Sequence, residues 1–82
     1  MNKNNNPYPS QNMNVKPGDE IEFMSIENKQ KELMPMLLKG IVTKVMTNSV
    51  IVDMSNDKNH VLYYQTEHTV VNHRKYKIIS AA

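Results

Sequence analysis

The chain has no cysteine, which excludes a disulfide framework, a thiolate zinc site and a cysteine nucleophile. It has no tryptophan, one phenylalanine and two glycines. With so few glycines there is no phosphate-cradling Gly-rich loop, and no serine elbow is present either. No apolar run approaches the ~18 residues of a membrane span, and the start lacks the cationic-then-apolar layout of a signal peptide. Asp53, Asp57 and Glu67 have no spacing that requires them to meet as a catalytic carboxylate group. His60, His68 and His73 match no helical metal-binding pattern. These absences lead us to expect a non-enzymatic protein of the cytoplasm, without cofactor, metal or membrane.

What is present fits one small domain. Of the 82 residues, the first fourteen, MNKNNNPYPSQNMN, hold six Asn and two Pro. Ordering such a stretch costs entropy and buries nothing, so residues 1–14 read as a disordered tail. The remainder, residues 15–80, is large enough for one thin core. Lys16-Pro17-Gly18-Asp19 is a turn signal, because Pro presets φ and Gly supplies φ > 0 at the next position.

Alternation then predicts strands. Glu20-Ile21-Glu22-Phe23-Met24 places Ile21 and Phe23 on one face and the glutamates on the other. Residues 25–36 break the period, and Pro35 limits any helix there, so the expectation is a long loop, partly helical or irregular. LLKGIVTKVM and SVIVDM are β-prone runs joined by Thr47-Asn48, an antiparallel hairpin. Gly40 marks a bulge or a close backbone approach. His60–Tyr64 reads as a short edge strand, Thr69–His73 as another and Tyr76–Ile79 as the last. The predicted core draws on Ile21, Phe23, Val42, Val45, Val50, Val52, Val71 and Ile78. Five or so short strands in so small a chain suggest an all-β, five-stranded SH3-like barrel, since closure hides edges that would otherwise be exposed.

GDEIEF, KGIVTKVMTNSVIVDM and TVVNHRKYKII, in this order, resemble a family of short uncharacterised bacterial proteins with a KOW-like, SH3-type barrel domain. The KOW likeness rests on Gly40, Val42 and Val45, and the three blocks cover about 33 of the 82 residues. Residues 25–36 look like an insertion relative to that family, and residues 55–68 do not match it. By analogy, the resemblance implies contacts with RNA, ribosomes or transcription complexes.

Two surfaces are candidates for function. His73, Arg74, Lys75 and Lys77 lie close together with no acid after Glu67, and Lys44 on a neighbouring strand extends them. Such a strip suits phosphates of RNA or a ribonucleoprotein. A solvated basic edge that discourages aggregation is the alternative, and the net charge of only +2 supports it. Tyr63, Tyr64 and Tyr76 are the aromatics available for base stacking, with Tyr76 expected to pack inward. The run Leu33-Met34-Pro35-Met36-Leu37-Leu38 either covers the open end of the barrel or forms a surface for a protein partner or a second copy, with Leu33, Met34, Met36 and Leu37 as contacts. The oligomeric state is left open.

Overall fold

The computed structural model describes residues 14–82, so the expected tail lies outside the described residues except for Asn14. Where the sequence turns apolar the chain joins the core: Val15 is buried there. The Lys16–Asp19 turn closes with Asp19 N–H donating to Lys16 O at 3.1 Å. Gly18 supplies the left-handed φ of 97° that a type II turn needs. The turn docks on the sheet through Gly18 N–H to Val42 O at 2.7 Å and Val42 N–H to Asp19 O at 2.9 Å.

Five strands follow: β1 (Glu20–Met24), β2 (Leu37–Val45), β3 (Ser49–Asp53), β4 (His68–Asn72) and β5 (Tyr76–Ser80). They form one antiparallel sheet in the order β4-β3-β2-β1-β5. β2 is the organising strand. Its first half pairs with β1, from Leu37 opposite Met24 to Ile41 opposite Glu20, and its second half pairs with β3. Two features let it do both. At Gly40 any side chain would run into the Val52 Cγ1 methyl and the Asp53 backbone, so the glycine marks a close approach. The register slips between Val42 and Lys44, a bulge at Thr43, whose Oγ1 donates to Ile51 O. Bulges add twist and bend to the strand that carries them.

The core is the inward half of each alternation: Ile21, Phe23, Leu38, Val42, Val50, Val52, Met54, Val71 and Tyr76, with Ile78 and Tyr64 packed against it. Val45, expected in the core, is 38% exposed, because it lies past the bulge at the last rung of the β2–β3 pairing.

Three further expectations are corrected. The sheet is not closed into a barrel: β4 and β5 end the strand order and do not pair with each other. The short turn between them is instead tied to the β2–β3 turn, with His73 N–H donating to Asn48 O at 3.0 Å. That tether sends β4 along β3 while β5 runs along β1. Second, His60–Tyr64 contributes no strand. Lys58–Leu62 is a 3-10 helix whose N-cap, Asp57, accepts from Asn59 N–H at 3.0 Å. Asp57 also accepts from Lys39 N–H at 3.0 Å, which anchors the helix to β2.

Third, residues 25–36 are neither helical nor irregular throughout. Ser25 N–H donates to Met36 O at 2.8 Å, and Asn28 and Leu33 exchange two backbone bonds of 3.0 and 2.9 Å. The β1–β2 register therefore continues past the strands into a hairpin extension. It closes over Lys29–Glu32, where Glu32 takes a φ of 57° and Asn28 Oδ1 accepts from Lys31 N–H.

Candidate functional site

The two predicted surfaces lie near opposite ends of β2. At the Val45 end, the β2–β3 turn (Met46, Thr47, Asn48) and the β4–β5 turn (His73, Arg74, Lys75) are bound together. His73 is the link. Its Nε2 lies 2.8 Å from Met46 O and its Nδ1 2.8 Å from Tyr76 Oη. A carbonyl can only accept, so Nε2 carries the proton, and in the neutral ring Nδ1 accepts from the Tyr76 hydroxyl. Tyr76 is fully buried. Burial, and secondarily the charge of Asp19, pushes its pKa up to about 12, so the hydroxyl keeps its proton. The ring pair also meets edge-on, with centroids 5.8 Å apart.

This arrangement sorts the five predicted phosphate contacts. Lys44, Arg74 and Lys75 are exposed at this end. Residues 43–52 and 68–82 supply its strands and turns, and they contain no Asp or Glu. His73 faces inward and positions the turns. Lys77 stands apart on the outer face of β5: the register places Glu22 directly opposite it, with Lys39 on the far side of Glu22. A carboxylate therefore sits between those two lysines and interrupts the basic strip.

The tyrosines are committed elsewhere. Tyr63 is buried and its hydroxyl donates to Met34 O at 2.7 Å. Tyr64 Oη accepts from Ile26 N–H at 3.1 Å. Tyr76 and Tyr63 are buried, and Tyr64 is partly buried with its hydroxyl bonded to the hairpin extension, away from the basic end.

At the Leu37 end the hairpin extension carries the second surface. Alternation from the paired Met24 and Leu37 places Met24, Ile26, Pro35 and Leu37 on one face. Met24, Ile26 and Leu37 are 54%, 55% and 51% exposed. Of the predicted contacts, Leu33 is half-buried, Met34 is 74% exposed and, with Met36, lies on the opposite face from Leu37. From the run 33–38 only Leu38 enters the core. Met24 and Ile26 escaped the sequence reading because they are remote from that run until the register joins them. The extension is held from behind by Tyr63, by Tyr64 and by Asn28 Nδ2 donating to Leu62 O at 2.7 Å. An open groove of about 430 Å³ between it and the 3-10 helix is lined by Glu27, Lys29, Val61 and Tyr64, among others.

The remaining titratable groups serve structure. Asp19 is almost completely buried. Burial raises its pKa, but the amides of Ala82 and Lys16 and the Lys16 charge outweigh that and hold it below the ordinary 3.8. Asp53 is lowered by hydrogen bonds from Ser55 and less by His68, whose Nε2 is 3.9 Å away. His60 is buried with Nδ1 2.8 Å from Asp57 O. The three histidines thus lie in separate settings, and among the described residues no group of three or more His, Cys, Asp or Glu is arranged to hold a metal.

A family model described as an uncharacterized protein conserved in bacteria, DUF2187, matches residues 14–79. The chain belongs to this family. No curated protein and no solved structure matches it. The DUF2187 match spans both candidate surfaces and the whole sheet except Ser80, and it leaves out the Asn-rich start. Among the described residues, no helix is long and apolar enough to cross a membrane.

Proposed function

We propose that this DUF2187 protein is a non-catalytic binding module of the cytoplasm that contacts RNA or a ribonucleoprotein through the Lys44–Arg74–Lys75 end. The observation that carries the reading is the acid-free pair of turns pinned together by His73, which presents three cations from a rigid frame. The strand order, with β5 alongside β1 and a bulge in β2, supports an open variant of an SH3-like arrangement, and KGIVTKV its KOW-like reading. With the hydroxyls of Tyr63, Tyr64 and Tyr76 hydrogen-bonded within the described residues, recognition is of phosphates rather than bases, so sequence preference is weak. Lys77, beside Glu22, contributes less than the other three.

The test is a fluorescence titration of short RNA and DNA oligomers at two salt concentrations. About three phosphate contacts on a single strand give a slope near −2.1, roughly 20-fold weaker binding between 50 and 200 mM salt. Binding that is absent at the lower salt, or unchanged in Arg74→Ala/Lys75→Ala, overturns the reading.

The stripe of Met24, Ile26, Pro35 and Leu37 favours a second reading, an adaptor that docks a protein partner on the hairpin extension. Three large side chains, each about half exposed on one hairpin face, make a contact surface of the kind interfaces use. Met24→Asp with Leu37→Asp abolishes partner capture under this reading and leaves RNA binding intact. The reverse pattern removes it.

A further inference from the structure

We propose that the chain forms a two-fold symmetric dimer by pairing β4 with β4 of a second copy, centred on Val70. The inference is independent of the RNA reading and uses a different part of the molecule.

The backbone phase of β4 is set by its flanking bonds. Met54 N–H donates to Glu67 O at 2.7 Å and His73 N–H donates to Asn48 O at 3.0 Å. In an antiparallel ladder the bonded positions alternate, so Thr69 and Val71 also point their amides and carbonyls toward β3. His68, Val70 and Asn72 point theirs away, and among the described residues no strand meets that edge. The carbonyls of His68 and Asn72 already accept from Thr66 Oγ1 and Lys75 N–H, at 3.1 and 2.8 Å. Val70 is left as the centre, with both backbone groups directed outward and a side chain 59% exposed.

Open strand edges are normally guarded by lysine, proline or a bulge. β5, the other edge, has two such guards: Lys77, and the bulge where it meets β1 between Glu20 and Ile21. β4 has none. His68–Asn72 contains no Lys, Arg, Asp, Glu, Pro or Gly, and its register with β3 is unbroken.

An antiparallel pair about Val70 is self-complementary, as a two-fold interface requires. Val70 meets the partner's Val70 and exchanges both backbone bonds, and His68 lies opposite the partner's Asn72. The carbonyls of His68 and Asn72 each keep a second lone pair for the partner's amide. The ends match in charge as well. Glu67 precedes β4 and Arg74 follows it, both exposed. Reversal of the second strand sets each copy's Glu67 opposite the other's His73, one residue from Arg74, the nearest opposite charge on the facing chain. A β-branched residue at the centre, no formal charge within the strand and opposite charges at its ends favour a second copy of this chain over an unrelated extended peptide.

Sedimentation velocity of the whole chain from about 10 µM to about 1 mM tests the proposal. The expected result is a monomer that converts to a dimer as concentration rises. Val70→Lys, which sets like charges face to face at the symmetry axis, remains monomeric throughout. Glu67→Arg weakens the dimer about tenfold, and adding Arg74→Glu restores it; this charge-swap pair tests the register even if Val70→Lys disturbs folding. A wild-type monomer at every concentration overturns the proposal. So does a dimer that survives Val70→Lys, one that only Met36→Asp abolishes, or growth beyond two copies, which would mean β4 pairs with β5 of the next chain.

Discussion

The two ends of β2 solve the same problem, how to end a hairpin, in different ways. At Val45 the chain reverses within a few residues, and a neighbouring turn is cross-linked to it through an imidazole that bonds Met46 O and Tyr76 Oη. At Leu37 the same ladder runs on to Asn28 and Leu33, and tyrosine and asparagine side chains brace it from behind. In both, the polar side chains are used up holding backbone. What projects to solvent differs: cations at the short end, methionine, isoleucine and leucine at the long one. The contrast shows that the bracing residues and the presenting residues are separate sets, so each end can be altered with little effect on the other.

The largest expected effect comes from joining the fates of both ends. Gly40→Ala forces a methyl against Val52 and the Asp53 backbone on the strand that serves both hairpins. We expect a loss of about 1–3 kcal/mol in denaturant melts, with both ends loosening together. A neutral substitution would mean that β2 does not need its close approach.

His73→Ala should cost about 1–2 kcal/mol by removing the ring's bonds to Met46 O and to the Tyr76 hydroxyl. Hydrogen exchange should quicken at 46–48 and 73–75 and hold steady at 25–36. Equal quickening at both ends would break the comparison.

A more gradual loss is expected in acid. Asp19 and Asp53 both have native pKa values below the ordinary 3.8. The unfolded chain therefore takes up these protons first, and the stability the carboxylates contribute is present above about pH 4 and lost as pH falls through their native values. Asp19→Asn should flatten the acid limb of a melting-temperature profile. An unchanged limb would show that Asp19 does not anchor the Lys16–Asp19 turn.

Smallest of all is the effect of Arg74→Ala with Lys75→Ala on stability, within about 0.5 kcal/mol, since both side chains are exposed. Only the salt dependence of RNA binding should move, its slope falling by about 1.4. A large loss of stability would place these cations among the bracing set.

Much of the sheet was legible because it rests on local signals. Period-two alternation located β1, Pro17-Gly18 marked the turn before it, and the β2–β3 hairpin followed from β-branched runs around Asn48. Errors arose where local and non-local signals diverge. Val61-Leu62-Tyr63-Tyr64 looks strand-like, yet the Asp57 carboxylate accepts nearby amides and starts a 3-10 turn. NKQKE has no apolar period, but the β1–β2 register carries it into a hairpin all the same. For the site, the cations were visible as a cluster in the chain. That His73 turns inward and that Lys77 sits beside Glu22 depends on strand neighbours far apart in sequence.

The sequence alone determined an all-β chain, the positions of β1 to β5 and the apolar face of β1 and β3, because alternation and turn chemistry act over a few residues. Only the tertiary structure decided that the sheet stays open, that the hydroxyls of Tyr63, Tyr64 and Tyr76 are hydrogen-bonded and that Met24 joins Leu37 in one exposed stripe. Those outcomes depend on register and on side chains meeting across the sheet, and one-dimensional spacing does not encode such distances.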